Sequence, residues 1–155
     1  MKKKYLVIIL FLILVGAVSF NKNTKTAKTP NDYVSLGNNK GIKGDHFGAS
    51  KAFKAAIDID PYYIPAYLGL GISYGNLGMN EDAIQVLMQG INLDKSYDYV
   101  PQMQMSIASI TYEKINDAKL AVTFLKKALQ NYTDQGNYAG VIMAAEKIKQ
   151  FAPVS

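Results

Sequence analysis

One pattern of bulky and small residues occurs three times along this chain of 155 residues. The three copies are Tyr33, Leu36, Gly37, Ala49, Phe53 and Ala56; Tyr67, Leu70, Gly71, Ala83, Leu87 and Gly90; and Met105, Ala108, Ser109, Ala121, Leu125 and Ala128. The first two copies are 34 residues apart, a period that is typical of stacked helix pairs. Because each pair buries its apolar surface only against its neighbours, the pattern predicts an all-α solenoid.

Prolines and turn-forming residues divide each copy into two helices. Pro30, Pro65 and Pro101 fall where the first helix of each pair should begin, because the first helical position needs no backbone N–H. The turns within the pairs contain residues that tolerate a left-handed backbone, at Gly44-Asp45, Gly78-Met79-Asn80 and Asn116-Asp117. The sequence therefore predicts six helices in three pairs.

A seventh helix is predicted over residues 137–151 as a cap on the last pair. Its apolar side chains recur at helical spacing and are expected to face the solenoid, namely Tyr138, Val141, Ile142, Ala145 and Ile148. The polar side chains are expected to face solvent, namely Glu146, Lys147, Lys149 and Gln150. A helix with a polar back is what a repeat array needs to cover its last apolar surface.

These elements leave no room for a second folded domain. The predicted divisions are a signal peptide or membrane anchor at 1–20, a polar linker at 21–29, a helical repeat domain at 30–151 and a tail at 152–155. Within the domain, repeats are predicted at 30–63, 64–97 and 102–135, with residues 98–101 as a four-residue insertion. We expect this insertion to add a turn to the following helix or to form a bulged loop.

The N-terminus has the pattern of an export signal. Lys2, Lys3 and Lys4 precede residues 5–20, which carry no charge. As a helix these 16 residues span roughly 24 Å, less than the hydrocarbon core of about 30 Å, which favours cleavage after Ser19 over a retained anchor. In either case the domain is expected outside the cytoplasm, in the periplasm, the cell envelope or the secreted space.

The charge balance argues against nucleic-acid binding. All 17 basic residues are lysines, and six of them lie within residues 2–28. The rest of the chain carries 11 lysines against 12 acidic residues and is close to neutral, so it lacks the basic surface that binds a phosphate backbone. The chain has no cysteine and therefore no disulfide, thiol nucleophile or thiolate metal site.

With these residues in register, the chain resembles the tetratricopeptide-repeat family. The second copy matches the family pattern at Tyr67, Leu70, Gly71, Tyr74, Gly78, Ala83, Leu87 and Gly90. In the first helix of the third pair, the matching stripe is predicted to run through Met105, Ala108, Ser109 and Tyr112. The chain departs from the pattern at Lys40, Lys95 and Thr133 and by the insertion, where the resemblance implies a locally irregular superhelix.

The resemblance implies that the first helices of the pairs line a concave groove for a protein partner. Six residues are predicted to touch the partner: Val34, Asn38, Leu68, Ile72, Ser106 and Ile110. A turn further along lie Gly41, Gly75, Asn76, Glu113 and Lys114. The resemblance does not support a clamp for a partner's carboxylate end, because Asn38 is the only residue at these positions that matches the lysine, arginine and asparagine of such clamps. The mostly aliphatic surface suits an amphipathic or extended segment instead. Alternatively, Leu68 and Ile72 pack between neighbouring helices.

Residues with catalytic chemistry are scattered. His46, the only histidine, lies beside a turn with Asp45 as its one acidic neighbour, and is interpreted as a surface residue. Tyr62-Tyr63 and Tyr97-Asp98-Tyr99 lie at the junctions between pairs, where they pack neighbouring pairs or, alternatively, form a platform for a sugar. Asn131-Tyr132-Thr133 matches the N-glycosylation pattern.

These observations predict a non-catalytic adaptor or scaffold without a cofactor or metal, which binds a segment of another protein. A structural protein that assembles with its own copies is the first alternative, because the end faces of a repeat array invite stacking. A module that binds cell-wall glycan is the second alternative. The N-terminal helix, if it is not cleaved, is the one part of the chain that is expected to contact a membrane.

Overall fold

The computed structural model describes residues 28–95 and 98–152, which form seven α-helices and no strand. The helices are α1 (Pro30–Ile42), α2 (His46–Ile59), α3 (Ile64–Asn76), α4 (Asn80–Leu93), α5 (Val100–Ile110), α6 (Ala118–Asp134) and α7 (Tyr138–Phe151). The predicted all-α class is confirmed. The predicted leader and most of the predicted linker lie outside the described residues. Among the described helices, none has the length and apolar character that crossing a bilayer requires.

The helices begin and end at the residues that the sequence marks. Pro30, Pro65 and Pro101 each lie in the first two positions of a helix. The first helix also has a capping box, in which the backbone N of Thr29 donates to Asp32 Oδ2 at 2.7 Å and the backbone N of Asp32 donates to Thr29 Oγ1 at 3.2 Å. Left-handed backbone follows the first helix of each pair and also α6, at Gly44, Gly78, Asn116 and Gly136.

The helices form two layers. Each helix from α2 to α6 packs on the helix before it and the helix after it, so that the array grows by stacking. The first helices of the pairs, α1, α3 and α5, also contact one another directly. They therefore form the inner, concave layer, while α2, α4 and α6 form the outer layer.

Large side chains from the outer layer fit against glycines of the inner layer. The ring of Phe53 on α2 is 3% exposed and lies between Gly37 on α1 and Gly69 on α3. A methyl group at Gly37 would lie 2.7 Å from this ring, and one at Gly69 would lie closer still. Leu87 on α4 contacts Gly71 on α3 in the same way. The small residues of the repeat are thus the points where two helices approach most closely.

The third pair is shifted in register relative to the predicted stripe. Tyr67 and Leu70 of α3 correspond to Gln104 and Ile107 of α5, which are buried 37 residues later, whereas Ala83 of α4 corresponds to Ala121 of α6, which is buried 38 residues later. A π-helical turn, Thr111–Ile115, follows α5 and takes up the difference of one residue. The four-residue insertion is therefore divided between the junction before α5 and this turn.

The predicted stripe on the third pair is therefore displaced by one residue from the most buried face of α5. Of its four residues, Ala108 is fully buried, whereas Met105, Ser109 and Tyr112 are half-buried. A strict four-residue offset ignores the extra residue that the π-helical turn accommodates, and every position of α5 is then placed one residue too late.

The cap helix α7 is rotated relative to the prediction. Of the five residues expected to face the solenoid, Val141 and Ile148 pack against the core, whereas Tyr138 and Ile142 are exposed. Its buried residues are Gly140, Ala144 and Phe151, whereas Tyr138 is 82% and Ile142 59% exposed. Gly140 lies against the ring of Tyr132 on α6, a contact that leaves no room for a larger residue. Phe151 stacks on Tyr112 with 3.8 Å between the ring centroids. The close approach of Gly140 to α6 and the burial of Phe151 therefore set the orientation of α7, and Tyr138 and Ile142 are left exposed.

The contact between Phe53 and the glycines of α1 and α3 predicts opposite effects for two glycine substitutions on the same layer. Gly69→Ala should lower the free energy of unfolding by about 1 to 3 kcal/mol, because the buried ring cannot move away from the new methyl group without meeting Gly37. Gly41→Ala should raise it by up to about 1 kcal/mol, because alanine favours the helix and the new methyl group has Ala49 Cβ at 4.0 Å as its nearest neighbour. Urea denaturation followed by circular dichroism measures both changes. Equal effects from the two substitutions would contradict this packing.

Candidate functional site

The concave face contains two neighbouring cavities. The first cavity, about 450 Å³, lies between α1 and α3, and the second, about 410 Å³, lies between α3 and α5. The first is lined by Gly37, Asn38, Gly41, Ile42, His46, Phe53, Gly69, Ile72, Ser73 and Asn76. The second is lined by Ile72, Gly75, Asn76, Met105, Ser106, Ser109, Ile110, Glu113, Lys114 and Lys147. We call the two cavities together the groove.

Ile72 and Asn76 of α3 line both cavities and make the groove continuous. They are one helical turn apart and lie on the face of α3 that points into the groove. Ile72 is 45% exposed although it is a large aliphatic residue. A ligand that crosses the groove would contact Ile72 whichever cavity it fills.

The first cavity is open because two of its walls lack side chains. Gly37 and Gly69 face each other across the ring of Phe53, which lies in the floor between them. Larger residues at these positions would fill the space above the ring. The apolar floor is thus supplied by the outer layer and reaches the groove through a gap in the inner layer.

The polar groups of the groove differ in whether they are already hydrogen-bonded. The hydroxyl of Ser73 donates to the carbonyl oxygen of Gly69 at 2.8 Å, and that of Ser106 donates to the carbonyl oxygen of Gln102 at 2.9 Å. Within the described residues, the side-chain amides of Asn38 and Asn76 make no such bond. Each amide offers donors and an acceptor, which matches the backbone of a bound peptide.

Charged groups lie near the two ends of the groove. Beside the first cavity, Lys40 Nζ contacts Asp45 Oδ2 at 2.7 Å. The hydrogen bond from Lys40, and then that from the backbone N of Gly48, lower the pKa of Asp45. Beside the second cavity, Lys147 Nζ donates to Ser109 Oγ at 3.4 Å and lies 5.1 Å from the centre of the Phe151 ring.

The six predicted contact residues fall into two groups. Asn38, Ile72, Ser106 and Ile110 line the groove, although Ile110 is only 9% exposed. Val34, also 9% exposed, and the half-buried Leu68 pack in the main core and line neither cavity. All five residues predicted one turn further along line the groove, namely Gly41, Gly75, Asn76, Glu113 and Lys114.

Several groove residues were not predicted from the sequence. They are Gly37, Ile42, His46, Phe53, Gly69, Ser73, Met105, Ser109 and Lys147. Met105 and Ser109 were missed because of the register shift, since they occupy on α5 the positions that Leu68 and Ile72 occupy on α3. His46 was expected at a surface turn, but it is half-buried as the first residue of α2 and lines the first cavity. Gly69, beside the repeat stripe, was the signal that could have indicated the first cavity.

Tyrosines at the first junction serve the packing of the repeats. The hydroxyl of Tyr63 donates to Asn31 Oδ1 at 3.2 Å, and that of Tyr67 donates to the carbonyl oxygen of Pro61 at 2.8 Å. Burial, followed by the nearby Asp60, raises the pKa of Tyr67. Tyr62 is 77% exposed and stands apart from these bonds.

The glycosylation pattern at residues 131–133 lies inside α6. Asn131 is half-buried, and its amide Nδ2 donates to Gln104 Oε1 at 2.9 Å. An acceptor asparagine must be accessible on a surface loop, so this helical and hydrogen-bonded residue is unsuited to the modification.

A protein-family model and solved structures resemble the chain. Residues 64–97 match the model of the tetratricopeptide repeat, the same range as the second predicted repeat. PcrH from Pseudomonas aeruginosa has a TM-score of 0.71 at 23% identity, covering 80% of this chain and 92% of that chain. SycD from Yersinia enterocolitica, in complex with a peptide of the translocator YopD, has a TM-score of 0.70 at 21% identity, covering 83% and 96%. No curated protein sequence matches the chain.

The matched repeat and the stacked helix pairs both indicate the same fold. The described domain has the fold of a tetratricopeptide-repeat solenoid, and residues 64–97 match the repeat itself. At identities below 25%, the solved structures establish this fold, and their binding partners belong to those proteins. The tetratricopeptide-repeat fold is a non-catalytic scaffold, which supports the prediction that the protein is not an enzyme. Among residues 28–95 and 98–152, no three histidine, aspartate or glutamate side chains converge on a point where a metal ion could bind.

The Lys40–Asp45 ion pair predicts a pH-dependent contribution to stability. Because the pKa of Asp45 is lowered from 3.8 in the folded protein, the contribution is present at neutral pH and is lost as the pH falls below about 4. Asp45→Asn removes the charge but can still accept the bond from Gly48, because asparagine also caps helices. We expect the variant to melt below the wild type at pH 7 and the difference to shrink at pH 3.

A double-mutant cycle with Lys40→Gln isolates the ion pair. The coupling between the two substitutions in thermal melts should be larger at pH 7 than at pH 2.5, because the lowered pKa of Asp45 is approached as the pH falls below 3.8. Coupling that is the same at both pH values would contradict the role of the ion pair.

Proposed function

We propose that the protein is a non-catalytic adaptor that holds a segment of another protein in the groove. The observation that carries this proposal is the continuous apolar groove, with Ile72 exposed at its centre and the exposed amides of Asn38 and Asn76 beside it. Two solved neighbours support the mode of binding. One is PcrH in complex with the chaperone binding region of PopD, which is 24% identical with a TM-score of 0.70 and covers 78% of this chain and 89% of that chain. The other is the SycD complex with a YopD peptide. The proposal adopts their mode of binding and not their partners.

The dimensions of the groove limit what the partner can look like. Each cavity is large enough for an apolar side chain, and burying one stabilises the complex by roughly 1.5 to 3 kcal/mol. Neighbouring helices pack about 8 to 10 Å apart, so the two anchoring side chains should be separated by about the same distance. That distance corresponds to about three residues of an extended segment or about two turns of a helix.

The residues proposed to touch the partner are those of the predicted set that line the groove: Asn38, Ile72, Ser106 and Ile110. Val34 and Leu68 contribute indirectly, because they pack in the core and hold in place the inner-layer helices that line the groove. A charged partner is disfavoured, since the lining residues include no cluster of one charge sign.

Ile72→Glu should abolish peptide binding without unfolding the domain. A carboxylate at the centre of an apolar groove must be desolvated when a ligand binds, and this cost removes most of the affinity. Ile59→Glu is the matched control, because Ile59 is 49% exposed at the end of α2 on the outer layer. Linear peptides selected from a phage-displayed library on the wild type provide the ligand, and their affinities are measured by fluorescence anisotropy.

We expect binding to Ile72→Glu to be at least about tenfold weaker, a loss of about 1.4 kcal/mol, and binding to Ile59→Glu to be unchanged. Circular dichroism should show equal helical content in all three proteins. Peptides that bind both variants as tightly as the wild type would place the binding surface elsewhere and contradict the proposal. Unfolding by Ile72→Glu alone would assign Ile72 to the core instead.

The N-terminal pattern supports a second part of the proposal, namely that the adaptor works outside the cytoplasm. Three lysines followed by 16 uncharged residues direct a chain to export, and residues 21–29 then separate the domain from the membrane. The partner would accordingly be another envelope or secreted protein. If the leader is retained, it anchors the adaptor to the membrane.

Export predicts a defined N-terminus in the native host. Cleavage after Ser19 should give a mature chain that begins at Phe20, because the apolar stretch is short for a permanent anchor. Cell fractionation followed by intact-mass measurement tests this prediction. A full-length chain in the cytoplasmic fraction would contradict export, whereas a full-length chain in the membrane fraction would identify the leader as an anchor.

A further inference from the structure

Helix α7 carries an apolar face that no other helix covers among residues 28–95 and 98–152. Its buried residues, Gly140, Ala144 and Phe151, point to α6 and the π-helical turn. At 3.6 residues per turn, the opposite side of the helix carries a single stripe of Tyr138, Ile142, Ala145 and Lys149. Tyr138 is 82% and Ile142 59% exposed, so the two large apolar side chains of this stripe both face outward one helical turn apart.

Comparison with the inner helices shows that α7 has fewer packing partners among the described helices. Helices α3 and α5 each pack on an outer-layer helix at both sides. Helix α7 follows α6 in the place of a further inner helix, and its main packing partner among the described helices is α6. Its open stripe therefore lies where the next helix of a longer array would pack.

The stripe is complementary to itself when two copies of α7 cross antiparallel. With a twofold axis between residues 143 and 144, Tyr138 faces Lys149 of the second copy and Ile142 faces Ala145. The large aliphatic residue then meets the small one, as ridges meet grooves in helix packing. The lysine meets an aromatic ring, and no like charges are opposed along the stripe.

Lysine and aromatic side chains already pair in this way within the chain. Five lysines lie 4.3 to 5.5 Å from the centre of an aromatic ring, in the pairs Lys28–Tyr33, Lys51–Phe47, Lys54–Tyr74, Lys127–Phe124 and Lys147–Phe151. Within the described residues, the ring of Tyr138 has no such cation. Lys149 of a second copy would supply one.

We propose that the open stripe of α7 is the interface of a symmetric homodimer. A single pair of crossing helices buries less than the roughly 1,200 Å² of stable protein interfaces, so the dimer forms at micromolar or higher concentration. Lys147, which lines the second cavity, lies on the buried side of α7, and the dimer therefore leaves the groove accessible. This inference concerns a different surface from the proposed function and does not depend on it.

Sedimentation velocity of the full-length chain between about 1 µM and 1 mM tests the dimer. We expect a concentration-dependent shift from monomer to dimer in the wild type, and a dissociation constant at least about tenfold higher for Ile142→Glu. Ile42→Glu is the control, because Ile42 is 85% exposed at the end of α1, away from α7. All variants retain residues 1–20, so any association through that segment is common to them. A monomer at every concentration, or a dimer that Ile142→Glu leaves unchanged, would overturn the proposal.

Engineered cysteines distinguish a twofold dimer from stacking of α7 on the other end of a second copy. The chain has no cysteine, so any disulfide must come from the introduced residue. Ala145→Cys lies close to the proposed axis and should give a covalent dimer on mild oxidation, whereas Asn39→Cys, exposed on α1, should not. Absence of a dimer from Ala145→Cys, or ladders of longer polymers that Ile142→Glu abolishes, would overturn the symmetric arrangement.

Discussion

The structure depends on one contact, the enclosure of the Phe53 ring between two glycines of the inner layer. Gly37 and Gly69 belong to different helix pairs, so the ring joins the first pair to the second. It is almost fully buried, and each glycine blocks the direction in which the other would let it move. The same contact positions α1 against α3 and sets the width of the gap that becomes the first cavity.

Close contacts of this kind also explain why a helical layer contains so many glycines. Glycine costs roughly 0.5 to 1 kcal/mol relative to alanine inside a helix, yet α3 carries Gly69, Gly71 and Gly75. Gly69 and Gly71 receive a large side chain from the outer layer, and Gly75 approaches Ile110 of α5. The helix thus loses intrinsic stability and gains close packing. A surface that exposes backbone and an aromatic floor in this way is suited to a ligand that binds through shape and apolar burial.

The sequence predicted the parts of this molecule that local chemistry determines. Proline and left-handed turn residues fix the helix ends, and the repeat of small and large residues fixes which helices pack together, so the fold class and the seven helices followed from the chain alone. The register of α5 did not, because an insertion can be taken up in a loop or in a π-helical turn at similar cost. The orientation of α7 did not either, since it has apolar residues on two sides, and the choice between them depends on the close approach of Gly140 to Tyr132. Half of the groove residues were predictable. Met105 and Ser109 were missed because of the register of α5, and the walls of the first cavity were missed because they depend on how far Phe53 reaches between Gly37 and Gly69.

The described part of the chain therefore has two surfaces with different origins, a groove that forms where glycines replace larger side chains and a face of α7 that no other described helix covers. Both rest on the way the outer layer packs into the inner one. The most direct test of this packing is a nuclear Overhauser experiment on the ring protons of Phe53. The packing predicts cross-peaks from the ring to the α-protons of both Gly37 and Gly69. Cross-peaks to only one glycine, or to neither, would contradict the packing and with it the origin of the groove.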